Sequence, residues 1–230
     1  YHPHYTNMVF RGWYDFGGGS MADMGHYSLW TVFKALQLEK PTIIEPTFSH
    51  VCGINDYAAF TVKNDFSFPF ASSVRFKYPA KGDRPAVDLI WYDGGMRPAV
   101  PEELYEDNKE LPAEGMMFVG DKGKILAGFH VDNPQLIPQK RMAGQNVVQA
   151  NKEKTSGFVQ FMEAVKTGKQ CPGSFTEAWD ITEAVNLYAA ALRSGRMLKY
   201  DAGSRKITNV PEANDYLART YREGWNPETI

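Results

Sequence analysis

Between residues 20 and 38 the apolar side chains Met21, Met24, Leu29, Val32, Phe33 and Leu36 recur on one side at about 100° per residue, which predicts an amphipathic helix stopped by Lys40-Pro41. Downstream the period changes. PTIIEPTFSHV (41–51), ASSVRFKYP (71–79), AVDLIWYD (86–93), GMMFVGD (115–121) and GKILAGF (123–129) are short, rich in β-branched and aromatic residues, and bounded by Pro, Gly and Asp. They read as strands. Tight turns such as GDKG at 120–123 make the neighbours antiparallel, because parallel strands need a crossover between each pair. The first helix is expected across one face of this sheet.

Residues 1–16 show no period and are expected as a loop or short strand, and 130–150 as a long loop. Helices are expected at 153–167 and 176–194, ending at Gly168 and Gly195, the second opened by the capping-like stretch SFTEAWD. A strand MLKYD and a polar helix near 211–223 close the chain. With no internal repeat and no low-complexity linker, the expected fold is α+β: one domain, 1–230, with a large open, mostly antiparallel sheet and helices on one face.

Composition sharpens this little. A chain of 230 residues can bury a substantial core, and its 14 Phe, 12 Tyr and 5 Trp suit a large buried sheet. The formal charge of −2, with acids and bases mixed, argues against nucleic acid or an anionic membrane surface as partner. No apolar run is long enough to span a bilayer. Cys52 and Cys171 follow no metal-ligand spacing and read as one buried and one loop residue, and the pair His2 and His4 lacks an acidic third ligand, so no metal is expected. The N-terminus lacks the basic-then-apolar order of a signal peptide, and a start without Met reads as a fragment. The compartment, cytoplasmic or periplasmic, is left open.

The stretch GGGSMADMGHYSLW (17–30) carries the candidate chemistry. It fits neither G-x-G-x-x-G nor the P-loop pattern, so it is not read as a phosphate loop. On a helical wheel Asp23, Tyr27, Trp30 and Lys34 gather opposite the apolar side. Asp23 and Tyr27 are i and i+4, and can meet one substrate. His26 lies at the boundary, and Gly25 is expected on the buried side, where it permits close packing. A solvated face is the competing reading, which two large aromatics fit poorly.

RGWYDFGGGSMADMGHY (11–27) resembles the segment that opens the C-terminal domain of the Gfo/Idh/MocA oxidoreductases, roughly G-G-G-x-x-x-D-x-G-x-H. VDLIWYDGGMRPAVPEEL, GMMFVGDKGKIL and SFTEAWDITEAVNLYAAALRSGRMLKYD are similar to later blocks of one branch, so the resemblance covers nearly the whole chain. It implies the substrate-binding and oligomerisation domain of an enzyme acting on a sugar or polyol, with homo-oligomers built through the sheet. NAD or NADP would be held by an N-terminal Rossmann domain that this sequence does not contain.

The resemblance puts the motif aspartate, which holds substrate hydroxyls, on Asp23. The motif histidine falls on Tyr27, with His26 one residue early, so the implied acid/base is Tyr27, with His26 as the alternative. A tyrosine with its ordinary pKa near 10 needs a neighbouring cation to act as a base near neutral pH. Arg11 and Trp13 are candidates to grip and stack on a sugar ring. Glu39-Lys40-Pro41 imitates a family motif, but follows the helix and reads as a helix stop. The resemblance leaves three functions open: net oxidation of a sugar or polyol, NAD-assisted hydrolysis or epimerisation, and a non-catalytic sugar-binding or dimerisation module.

Overall fold

The computed structural model describes residues 2–142, 144 and 156–226. The first residues of the helix expected from 153, and 143 and 145–150 of the expected loop, lie outside them. The α elements are α1 (Gly19–Ala35), α2 (Glu102–Asp107), α3 (Gly157–Thr167) and α4 (Phe175–Ser194). The strands are β1 (Ile43–Phe48), β2 (Cys52–Asn55), β3 (Ala58–Thr61), β4 (Ser72–Tyr78), β5 (Val87–Asp93), β6 (Met116–Gly120), β7 (Gly123–Ala127), β8 (Gln135–Ile137), β9 (Leu198–Asp201) and β10 (Lys206–Ile207). Short 3-10 turns stand at Pro3–Tyr5, Phe10–Gly12 and Pro211–Tyr216. The chain is α+β.

It forms two compact units, one of Tyr1–Gly25, Glu39–Met96 and Thr182–Ile230, the other of His26–Leu38 and Arg97–Ile181. The first holds a five-stranded sheet in the order β10-β9-β1-β4-β5, with every pairing antiparallel. Strict alternation along β4 buries Ser72, Val74, Phe76 and Tyr78 on one face. Register carries this burial across the sheet: Leu198 opposes Ile44, Ile44 opposes Phe76, and Phe76 opposes Leu89. All four are buried, each contributing about 1.5–3 kcal/mol. On the alternate positions Arg75 meets Glu45 and Asp88, a charged, half-exposed face. Residues 182–194 of α4 supply the apolar stripe Ala184, Leu187, Tyr188 and Ala191 to the same unit.

In the second unit β6, β7 and β8 make a three-stranded antiparallel sheet. Lys124 on β7 holds both carboxylate oxygens of Glu103 on α2 at 2.7 Å. Asp107 at the end of α2 accepts from the backbone N–H groups of Gln139 (2.6 Å) and Lys140 (3.1 Å), fixing the chain after β8.

Several expectations change. The five strands expected in one sheet divide between two, because alternation reports burial of a face and not which strand lies beside it. Within the expected loop 130–150, Gln135–Ile137 pairs with β7. Residues 1–16 hold 3-10 turns, and the polar helix expected near 211–223 is a 3-10 turn, Pro211–Tyr216. A hairpin, β2-β3, which no alternation announced, turns on Asp56 and Tyr57, both at positive φ. It exposes Cys52, expected as buried.

The stop of α1 also moves. Leu38 N–H bonds to Phe33 O (2.9 Å) and Gln37 N–H to Lys34 O (3.3 Å), with Gln37 left-handed at φ 47°. That is a Schellman turn completed ahead of Lys40-Pro41.

Candidate functional site

The three glycines that lead into and open α1 serve packing. A Cβ on Gly17 would lie 2.6 Å from the Arg11 Cα, and one on Gly19, whose φ is +77°, would lie 2.9 Å from the Phe68 ring. Residues 12–14 run beside 66–68, with Tyr14 N–H on Phe66 O (3.0 Å) and Phe68 N–H on Gly12 O (2.8 Å). The loop that carries Arg11 and Trp13 is thereby fixed to the start of the helix. At Gly17 and Gly19 the space for a side chain is taken by the chain's own atoms.

A buried polar network anchors the first turn of α1. Asp93, at the end of β5, accepts on Oδ1 from Ser72 N–H and Oγ (both 2.8 Å), and on Oδ2 from Ser20 Oγ (2.5 Å), Tyr188 Oη (2.7 Å) and Trp91 Nε1 (3.1 Å). Burial, and next the Asp93 charge, push the Tyr188 phenol well above its ordinary range, so it remains a donor. The sequence reading missed this network. Its signal was an acid in phase with Leu89 and Trp91, on the buried side of a strand.

One turn beyond Ser20, Arg11 Nε meets Asp23 Oδ2 at 2.7 Å, while the same guanidinium donates to Met8 O. Two residues singled out for separate tasks are thus an ion pair, each about one-third exposed. Among the described residues the second oxygen of Asp23 has no partner, and it stays available as an acceptor.

Tyr27 follows Asp23 by one turn of α1 and is 64% exposed. Its backbone carbonyl faces His130 Nδ1 at 3.2 Å. His26 is half-buried, and burial holds its imidazole below the usual histidine value, in the neutral form. On the apolar side Met21, Leu29, Val32 and Phe33 are buried, as is Gly25, but Met24 is 39% exposed. The structure does not bring Trp13 to Asp23. Its ring stacks on Phe66 (5.6 Å between centroids) beside His4 and Tyr5, and its Nε1 donates to His4 O at 3.1 Å.

Lys40, read as a helix stop, pairs with Glu183 at 2.5 Å, and Glu183 also accepts from the Tyr200 hydroxyl. This arrangement ties the segment after α1 to α4 and β9. His2 and His4 meet edge to face, and His2 Nδ1 accepts the His4 N–H.

A comparison with known proteins agrees with this architecture. No curated protein matches the chain. A family model described as the C-terminal alpha/beta domain of an oxidoreductase family matches residues 102–227, more than half of the sequence; Asp23 and Tyr27 lie ahead of the match. The chain belongs to the Gfo/Idh/MocA oxidoreductase family, as its C-terminal domain.

Proposed function

We propose that this chain is the substrate-binding part of an NAD(P)-dependent sugar or polyol oxidoreductase, assembling into homo-oligomers through its sheet. The observation that carries the reading is the carboxylate of Asp23, paired on one oxygen with Arg11; Tyr27, exposed, follows four residues later in the sequence of α1. Among the described residues, the glycine-rich turn ahead of α1 packs against Arg11 and Phe68 and lacks the spacing of a dinucleotide-binding turn. The coenzyme is accordingly assigned to residues other than these.

Oxidation of a secondary alcohol removes a proton from oxygen and a hydride from carbon. When bound, the dinucleotide supplies the acceptor for the hydride. Asp23 accepts hydrogen bonds from substrate hydroxyls and fixes the sugar's orientation, the Arg11 pair holding the carboxylate in one rotamer. Tyr27 takes the hydroxyl proton as a phenolate, a form that requires a cation brought beside it by the coenzyme-binding part. His26, the residue before Tyr27 in α1, is held below the ordinary histidine pKa by burial.

The test is a screen of sugars, polyols and their keto forms with NAD and NADP, using the enzyme together with its dinucleotide-binding part and following the absorbance of the reduced nicotinamide. Tyr27→Phe should abolish turnover and spare coenzyme binding, while His26→Ala retains activity. The reverse pattern assigns the proton to His26. Turnover of a glycoside without net nicotinamide reduction replaces dehydrogenation by coenzyme-assisted hydrolysis.

A further inference from the structure

A cavity of about 810 Å³ lies within the first unit, bordered by Gly17-Gly18, by the last turns of α4 and by residues 216–221. Its volume is that of a small-molecule site, and it opens to solvent. Two guanidinium groups, Arg193 and Arg219, line it against one carboxylate, Asp15.

Arg193 is held in an unusual way. Its guanidinium carbon lies 4.6 Å from the Tyr14 ring centre and 4.3 Å from that of Tyr216, so two aromatic rings flank it. Stacking occupies the faces of a guanidinium and leaves the N–H donors in its plane unused. Among the described residues no hydrogen bond or ion pair reaches those donors. A position in the last turn of α4 explains a positive charge there through the helix dipole, but a lysine would serve equally. Arg193 is exposed, and an open guanidinium edge turned to solvent between two rings is what the dipole leaves unexplained. Arg219 is different: its Nη2 donates to Asp15 O at 2.8 Å and so closes one wall.

We infer that this cavity binds a small oxyanion-bearing ligand, its carboxylate or phosphate taken in two parallel hydrogen bonds by the edge of Arg193. Phe68 and Tyr216 provide apolar surface for the body of the ligand, and Asn186 and Thr220 provide polar groups for hydroxyls. The chemistry fits an acidic sugar, a uronate or a sugar phosphate. Because two rings flank the guanidinium before binding, less of its conformational freedom remains to be lost. This assignment does not depend on the redox reading, since it is tested by equilibrium binding.

The experiment is calorimetric titration of the protein with glucuronate, glucose phosphate, inorganic phosphate and glucose. At least one of the two acidic sugars should bind about tenfold or more tightly than glucose, and which one binds names the source of the oxyanion. Arg193→Lys keeps the charge and loses the fork; it should weaken that binding by about tenfold or more with an unchanged circular dichroism spectrum. The inference is overturned if neither acidic sugar binds more tightly than glucose, if inorganic phosphate binds as tightly as both, or if Arg193→Lys binds like the parent. Should the variant fold poorly, the comparison of acidic and neutral sugars on the parent protein decides the matter alone.

Discussion

Tyr188 donates its hydroxyl to Asp93 Oδ2 at 2.7 Å, joining the middle of α4 to the end of β5. Since Asp93 also receives Ser20, the start of α1 depends on the same carboxylate. Tyr188→Phe removes one of several donors and should cost about 1–2 kcal/mol in urea unfolding. Asp93→Ala strands the buried Ser72 and Tyr188 donors together and should cost clearly more, by the same measurement.

Arg11 and Asp23 form a partly exposed pair, and such pairs contribute about 0–1 kcal/mol to stability. Arg11→Gln should therefore leave the urea midpoint nearly unchanged. If the pair orients Asp23 toward substrate, the same variant lowers kcat/KM about tenfold, a loss of about 1.4 kcal/mol at the transition state. A fall in stability without that kinetic loss would identify the pair as structural.

Burial lowers the His26 pKa below its ordinary value. Below about pH 6.5 the unfolded chain takes up a proton that the folded chain resists, so stability falls as the pH falls through that range. His26→Gln should flatten the dependence between pH 7 and about pH 5, read from thermal midpoints.

At Asp107 burial acts to raise the pKa, but the N–H groups of Gln139 and Lys140, with the charges of Lys109 and Lys140, outweigh it and hold the carboxyl below the usual range. This carboxylate stabilises the fold at neutral pH, and its contribution is lost as the pH falls below about 4. Asp107→Asn should be less stable than the parent at pH 7, and the difference should narrow toward pH 3 in denaturant titrations.

Gly19 opens α1 with φ +77° beside the Phe68 ring. An alanine there takes on left-handed strain of about 1–2 kcal/mol together with a clash. Gly19→Ala should lower the melting temperature, whereas Ala35→Gly, at the far end of the same helix, should cost about 1 kcal/mol or less.

Legibility in the sequence followed the physics of each element. β4 was plain because its alternation is complete, and α4 because its apolar stripe and the Ser174 cap are local; Ser174 Oγ accepts the Glu177 N–H at 3.4 Å. The hairpin β2-β3 was hidden because its residues are exposed on both faces and its turn uses Asp56-Tyr57 instead of a glycine pair. The turn at Gln37 was hidden for a related reason, a left-handed residue that is neither Gly nor Asn. Asp23 and Tyr27 could be placed on one helix face from their spacing. The Arg11–Asp23 pair could not, since it joins a loop to a helix by packing that only tertiary structure creates.

That packing has a consequence at Gly17. The Arg11 main chain occupies the space where a side chain at Gly17 would stand, so the separation between the arginine and the aspartate is set by backbone touching backbone. A missing methyl group acts as the spacer for a charged pair twelve residues apart in sequence. Any side chain at position 17 would therefore displace the main chain that carries Arg11, and with it the partner of Asp23.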